Sequence, residues 1–120
     1  RMASWNRYKE ALEGLAQKGC IELPYVPEGC SHNAHMFYIK AKDLAERTEL
    51  ISYLKEHGIM AVFHYIPLHT APAGRRYGVF RGEDRFTTTE SERLVRLPLY
   101  YGLNSQDQAQ VIDTVKRFYE

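Results

Sequence analysis

Apolar residues recur at helical spacing in the first stretch of the chain. Trp5, Tyr8, Leu12 and Leu15 fall three and four apart, while Asn6, Lys9, Glu10 and Glu13 occupy the other face. This period predicts an amphipathic helix from Arg1 to about Gly19, with the glycine as its stop. No capping residue precedes it, as expected of a helix that continues upstream. The period is lost between Cys20 and Asn33, where Pro24, Pro27 and Gly29 predict a loop with a little extended structure. His35-Met36-Phe37-Tyr38-Ile39 is aromatic and β-favouring and reads as a strand. Arg47 to His57 reads as a second helix, with Leu50, Ile51 and Leu54 inward and Gly58 at its C-terminal end. Ile59 to Tyr65 then reads as a buried strand, giving a β–α–turn–β order from 35 to 65.

Regular patterning stops at Ile66. The stretch to Phe86 contains Pro67, Pro72, Gly74, Gly78 and Gly82 and shows neither period. Unstructured loops of this length are uncommon in compact domains and are mostly functional or disordered. A short helix is predicted over Thr88–Arg96, stopped by Pro98, with an extended piece over Leu97–Tyr100. Ser105, with Gln108 three residues on as a capping box, opens a last helix. Its expected buried stripe is Val111, Ile112, Val115 and Phe118. The predicted fold class is α+β in two layers. A small antiparallel or mixed sheet, with strands near 35–40, 60–65 and 97–100, is covered on one face by helices.

Composition narrows the class without naming a function. The chain has 120 residues, the length of one domain, with 44% hydrophobic and 26% charged residues, which argues against disorder. Sixteen basic side chains are balanced by fifteen acidic ones, for a net charge of +1. That balance speaks against a nucleic-acid partner and against a polybasic membrane face. The longest apolar run, Ile59–Phe63, is far too short for membrane insertion. No apolar stretch follows the N-terminus, so no signal peptide is expected. The first residue is Arg1, so the chain reads as a piece of something longer. Cys20 and Cys30 do not make a disulfide framework and read as free thiols of a reducing, cytoplasmic compartment.

Five histidines are the first chemical candidates. Cys30, His32 and His35, with His64 and His69 further on, allow a zinc reading, but no pair has the usual ligand spacing. His57 at a helix C-terminus suits a dipole partner. The segment His64-Tyr65-Ile66-Pro67-Leu68-His69 is more informative, because there a strand leaves the core and enters the irregular loop. Imidazole and phenol at that point can hydrogen-bond phosphate or sugar oxygens. The same two groups can equally be strand-end residues satisfied by backbone. Arg75, Arg76, Arg81 and Arg85 lie in the loop and suit an anion, although Glu83 and Asp84 offset them and a solvated loop accounts for them as well. There is no G-x-S-x-G, no glycine-rich phosphate loop, and none of the six lysines sits in an apolar setting suited to a Schiff base.

Two sets of motifs carry a resemblance. Asn33-Ala34-His35-Met36-Phe37-Tyr38-Ile39, Gly58-Ile59 and the 64–69 segment, followed by Ser91-Glu92-Arg93-Leu94 and Leu97-Pro98-Leu99-Tyr100, resemble the C-terminal domain of the DegT/DnrJ/EryC1/StrS sugar aminotransferases. The run Met60–His69, with Pro72-Ala73-Gly74 and Gly82-Glu83-Asp84-Arg85, is similar to the members that act on TDP-4-keto-6-deoxyglucose in enterobacterial common antigen synthesis. One departure is Thr87-Thr88-Thr89-Glu90, where the family more often has Thr-Glu and two variable residues. The resemblance implies a small domain of a fold-type I enzyme over 1–120. Pyridoxal 5′-phosphate would be bound by a large N-terminal domain absent here, so this chain would carry no catalytic residue and be inactive alone. It implies glutamate and a TDP-sugar as substrates, amino transfer to the 4-keto carbon, and a homodimer for the full-length enzyme. His64 would lie near cofactor and substrate, Tyr65 would contact the nucleotide-sugar phosphates, and His69 would shape the loop. The alternative is a stand-alone, non-catalytic small-ligand-binding or regulatory domain.

Overall fold

The computed structural model describes residues 1–120 as five helices around a three-stranded sheet. Helix α1 (Met2–Gln17) buries Trp5, Tyr8, Leu12 and Leu15, the stripe its period predicts. It ends because Gly19, at φ +75°, turns the chain into a left-handed position. The Gly19 amide then reaches the Ala16 carbonyl, and the Cys20 amide reaches Leu15. This is a Schellman end, which satisfies carbonyls the helix would otherwise leave free. Helix α2 (Leu44–Glu56) stops in the same way at Gly58, whose φ is +76°.

Helix α2 starts three residues before its predicted start. Asp43 accepts the Glu46 amide at 2.9 Å, and the Glu46 carboxylate accepts the Lys42 amide at 2.7 Å. An acid followed three residues later by Glu is a capping signature, and it sets the boundary ahead of the apolar period. The last helix, α5 (Ser105–Phe118), is capped by Asn104 and not by Ser105. Gln108, expected in the capping box, is instead fully buried. Its amide donates to the Ser4 carbonyl at 2.7 Å, and its oxygen accepts from Arg7 at 2.9 Å, tying α5 to α1. Phe118, expected in the buried stripe, is only partly covered, and Thr114 is buried in its stead.

The sheet runs in the order β1-β3-β2, with β1 (Phe37–Lys40) and β2 (Val62–Phe63) each antiparallel to the central β3 (Leu94–Leu97). It is therefore antiparallel throughout, a split β–α–β unit with the last strand inserted between the first two. The central strand falls at 94–97 and not at 97–100. Leu94, Val95 and Arg96, expected at the end of a helix, alternate half-buried, buried, half-buried; Leu94 pairs with β1, and Val95 and Arg96 pair on both sides. Helix α4 (Thr87–Arg93) accordingly ends at Arg93, and Pro98, which has no amide hydrogen to donate, closes the strand.

The Ile59–Tyr65 run is not a buried strand. Ile59 and Ala61 are inside, Met60 is 82% exposed, and the paired Val62 and Phe63 lie at an open sheet edge. A further difference lies in the 66–86 loop, which contains a short helix, α3 (Pro72–Tyr77), with Pro72 at its first turn. Proline there fixes a helical φ and sacrifices an amide that has no intrahelical partner.

One face of the sheet is covered by helices, as predicted. Phe37 and Ile39 pair with Leu97 and Val95 on that face, and all four are buried. Tyr8 of α1 stacks on Phe37 with ring centres 5.0 Å apart, and Trp5 meets the same ring edge-on at 5.5 Å. Leu50 and Leu54 of α2 and Val111, Ile112 and Val115 of α5 complete one cluster. The buried Tyr8 hydroxyl donates to the Pro98 carbonyl at 2.8 Å, fixing the chain just beyond β3. Burial pushes the Tyr8 phenol far above its ordinary pKa, with the nearby Tyr100 adding to the shift.

Candidate functional site

The three candidate residues lie where β2 leaves the sheet. Phe63, the last paired residue, faces the helices and carries the Arg47 guanidinium 4.8 Å from its ring centre. His64 follows, half-buried, with its Nδ1 shielded from solvent and without a hydrogen-bond partner. Buried polar atoms almost always have partners, so this nitrogen, like Arg47 Nε, has a hydrogen-bonding position to spare. Tyr65 packs against it, ring centres 4.8 Å apart, and is 70% exposed. Its φ of +63° lies in the left-handed region. A bulky side chain there costs about 1–2 kcal/mol, a strain that concentrates at functional positions.

His69 is not beside that pair but inside a clasp. Its Nε2 lies 2.8 Å from Asp84, and its ring stacks on Phe80 at 4.4 Å. Asp84 also accepts the Thr88 hydroxyl and, at 3.3 Å, the Thr88 amide in the first turn of α4. The Thr88 hydroxyl contributes most to holding the Asp84 carboxyl below its usual pKa, followed by the Thr88 amide and His69. The clasp thus joins both ends of the 66–86 loop. Gly74 makes the middle possible, because its backbone packs directly against the Leu68 carbonyl. A groove of about 310 Å³ opens beside the clasp, lined by Leu68, His69, Gly74, Gly78, Val79, Phe80 and Thr87.

Other candidates disperse. His57 Nδ1 donates to the Tyr53 carbonyl at 2.8 Å, at the C-terminal end of α2 as anticipated. His32 packs against Trp5 at a tilt, ring centres 4.3 Å apart, and accepts the Ala34 amide. No three His, Cys, Asp or Glu side chains stand close enough to hold a metal ion. Arg75, Arg76, Arg81 and Arg85 are all exposed, and Arg85 pairs with Glu83 at 3.0 Å. Both cysteines are free thiols. No helix is long and apolar enough to cross a membrane. A larger groove, about 450 Å³ between the ends of α1 and α5, contains none of the three candidate residues.

Surface composition adds a feature that motif reading passes over. Fifteen large hydrophobic side chains are exposed, and ten of them lie between Met60 and Phe86. Apolar exposure concentrated in one segment suits a contact surface. Asp84, Phe80 and Gly74 are the other residues sequence reading leaves unassigned. An acid four residues ahead of Thr88 is a capping signal that could have found the first, but contacts fifteen residues apart carry no local signature.

Known proteins share this sequence pattern and fold. Residues 1–116 match the DegT/DnrJ/EryC1/StrS aminotransferase family. A dTDP-3-amino-3,4,6-trideoxy-alpha-D-glucose transaminase of Micromonospora megalomicea subsp. nigra is 30% identical over 118 residues, covering 97% of this chain and 31% of that protein. A DegT DnrJ EryC1 StrS aminotransferase from Brucella abortus superposes with a TM-score of 0.78 at 27% identity, over 97% of this chain and 29% of that one. The Bacillus subtilis NtdA structure with bound cofactor PMP gives a TM-score of 0.81 at 25% identity, over 98% and 27%. The curated relatives are three to four times as long, this chain spanning 26% to 32% of their length. Family pattern, fold and relatives agree: the chain belongs to the DegT/DnrJ/EryC1/StrS aminotransferase family.

Proposed function

We propose that residues 1–120 are the C-terminal small domain of a pyridoxal-phosphate-dependent nucleotide-sugar aminotransferase, and that the 64–86 segment is its substrate-facing wall. The residues of this chain do not fit the cofactor. None of the six lysines is buried, and Lys40 is held in ion pairs with Glu22 and Glu90. A Schiff-base lysine needs a desolvated ammonium free to lose its proton. The cofactor and its lysine accordingly belong to the part of the enzyme outside this chain, and the isolated chain is inactive.

The orphaned Nδ1 of His64 carries the site assignment. It stands at a strand end, beside a strained and exposed tyrosine, at the rim of the exposed apolar band. The band suits the face toward the rest of the enzyme, which would exclude water around the reacting sugar. In this reading His64 approaches cofactor and substrate. Tyr65 offers its phenol to the nucleotide-sugar phosphates, and His69 holds the loop in shape through Asp84.

The reaction assigned is transfer of the amino group of glutamate to the 4-keto carbon of a TDP-linked 6-deoxy sugar, in cytoplasmic synthesis of a cell-surface polysaccharide such as enterobacterial common antigen, by a homodimer. Support for the nucleotide sugar comes from the Micromonospora relative, whose name sets its amine on carbon 3. The keto position is therefore the point to test. The full-length enzyme carrying this chain, given glutamate and a TDP-4-keto-6-deoxy sugar, should release 2-oxoglutarate. Faster turnover of the 3-keto isomer overturns the carbon-4 assignment, and no turnover of either overturns the reading.

A further inference from the structure

Helix α4 presents a packing problem. It connects the clasp to the central strand, yet none of its residues is buried. Apolar packing therefore does not hold it, and polar contacts must. Arg47 of α2 supplies one, to the Ser91 carbonyl at 3.3 Å, and four further side chains supply a closed ring. Arg93 pairs with Glu22 and, at 3.2 Å, with Glu90; Lys40 completes the circuit at 3.3 Å to Glu22 and 2.7 Å to Glu90. The third Arg93 donor, Nε, reaches the Ala41 carbonyl at 2.8 Å.

The ring joins three separate pieces of chain. Glu22 belongs to the segment bridged to β1, where it exchanges both backbone hydrogen bonds with Lys40. Lys40 ends β1, and Glu90 and Arg93 lie on α4. Isolated exposed ion pairs contribute little, but this one is a network built on a branched guanidinium that is only 18% exposed. Its members sustain one another's charge: Arg93 holds the Glu22 carboxyl below its usual pKa, and Glu90 raises that of Lys40.

At the other end of α4, Thr88 holds Asp84, which holds His69. The geometry points to Arg93 as a positioning residue. The Arg93–Glu22–Lys40–Glu90 ring fixes α4 on the sheet edge, and α4 in turn fixes the His69 clasp and the 66–86 loop. Its functional meaning rests on the reading of that loop as substrate-facing, but the coupling itself is measured in the full-length enzyme without substrate.

Two variants test it, Arg93→Met, which keeps the aliphatic stem, and Glu22→Gln, which opens the ring far from the loop in sequence. Amide hydrogen exchange at Thr88 and Glu90 should accelerate about tenfold in the first and about threefold in the second, as loss of charged hydrogen bonds predicts. The His69 ring protons, shielded by the stacked Phe80, should move toward free-imidazole shifts in both. Amides of α1 and α5 should keep their protection. Unchanged Thr88 exchange and unchanged His69 shifts in both variants overturn the inference. So does equal loss of protection in α1 and α5, which makes the ring a support of the whole fold. A substrate assay that fails while the coupling holds overturns only the functional reading.

Discussion

Replacing Gly74 by alanine sets two effects against each other, and the structure decides which wins. Alanine favours a helix by about 1 kcal/mol over glycine and restricts the unfolded chain, so α3 should gain. A Cβ at this position, however, would lie 1.7 Å from the Leu68 carbonyl oxygen and 2.6 Å from its carbon, where real contacts do not fall below 3.0 Å. The obstacle is backbone, which cannot rotate out of the way, so the loop must open by more than an ångström. Overpacking of this kind costs about 1–3 kcal/mol, and the rigid neighbour puts the cost at the upper end. The net loss, about 1–2 kcal/mol, should raise the open population of the loop by roughly five- to thirtyfold. Trypsin reads that population directly, because Arg75 and Arg76 follow the glycine within α3. Cleavage after these two residues, followed by mass spectrometry, should be about fivefold faster or more in Gly74→Ala. The melting temperature should barely move, since α3 contributes nothing buried to the core. Cleavage at the wild-type rate refutes the argument, and a large fall in melting temperature shows that the loop and core are one cooperative unit.

Gly14 makes the opposite prediction: it lies within α1 with nothing near its would-be Cβ, so Gly14→Ala should stabilise by about 1 kcal/mol in urea denaturation. Tyr8→Phe should destabilise by about 1–2 kcal/mol in the same assay, because it strips the buried donor from the Pro98 carbonyl; an unchanged midpoint means water replaces the bond. Acid should release the clasp. A carboxyl with a depressed folded pKa stabilises fully above its unfolded value, about 3.9 for Asp, and loses that contribution as pH falls through the lower folded value. The Thr88 amide signal, followed from neutral pH downward, should therefore titrate below the ordinary Asp range, and Asp84→Asn should abolish that titration.

Elements with several turns of period were readable from sequence. The stripe of α1 and the glycine stops of α1 and α2 were, because periodicity and left-handed glycine are local signals. Leu94-Val95-Arg96-Leu97 was not: four residues after a helical start fit either structure, and two neighbouring strands decide the matter. The Ile59–Tyr65 run shows the reverse error, since apolar composition suggests burial but an edge position leaves it open. At the candidate site, His64 and Tyr65 were singled out because a strand end feeding a loop is visible in one dimension. The clasp was not, because His69 and Asp84 meet only when the loop folds back.

The inserted central strand makes the segment from 64 to 93 a cassette. Its two ends are fastened to adjacent strands, β2 and β3, so its interior can be exchanged without altering the register of the sheet. Doubling its length would add only about 0.6 kcal/mol of closure entropy. Chemical diversity can therefore accumulate between Phe63 and Leu94 while α1, α2 and α5 remain a constant frame.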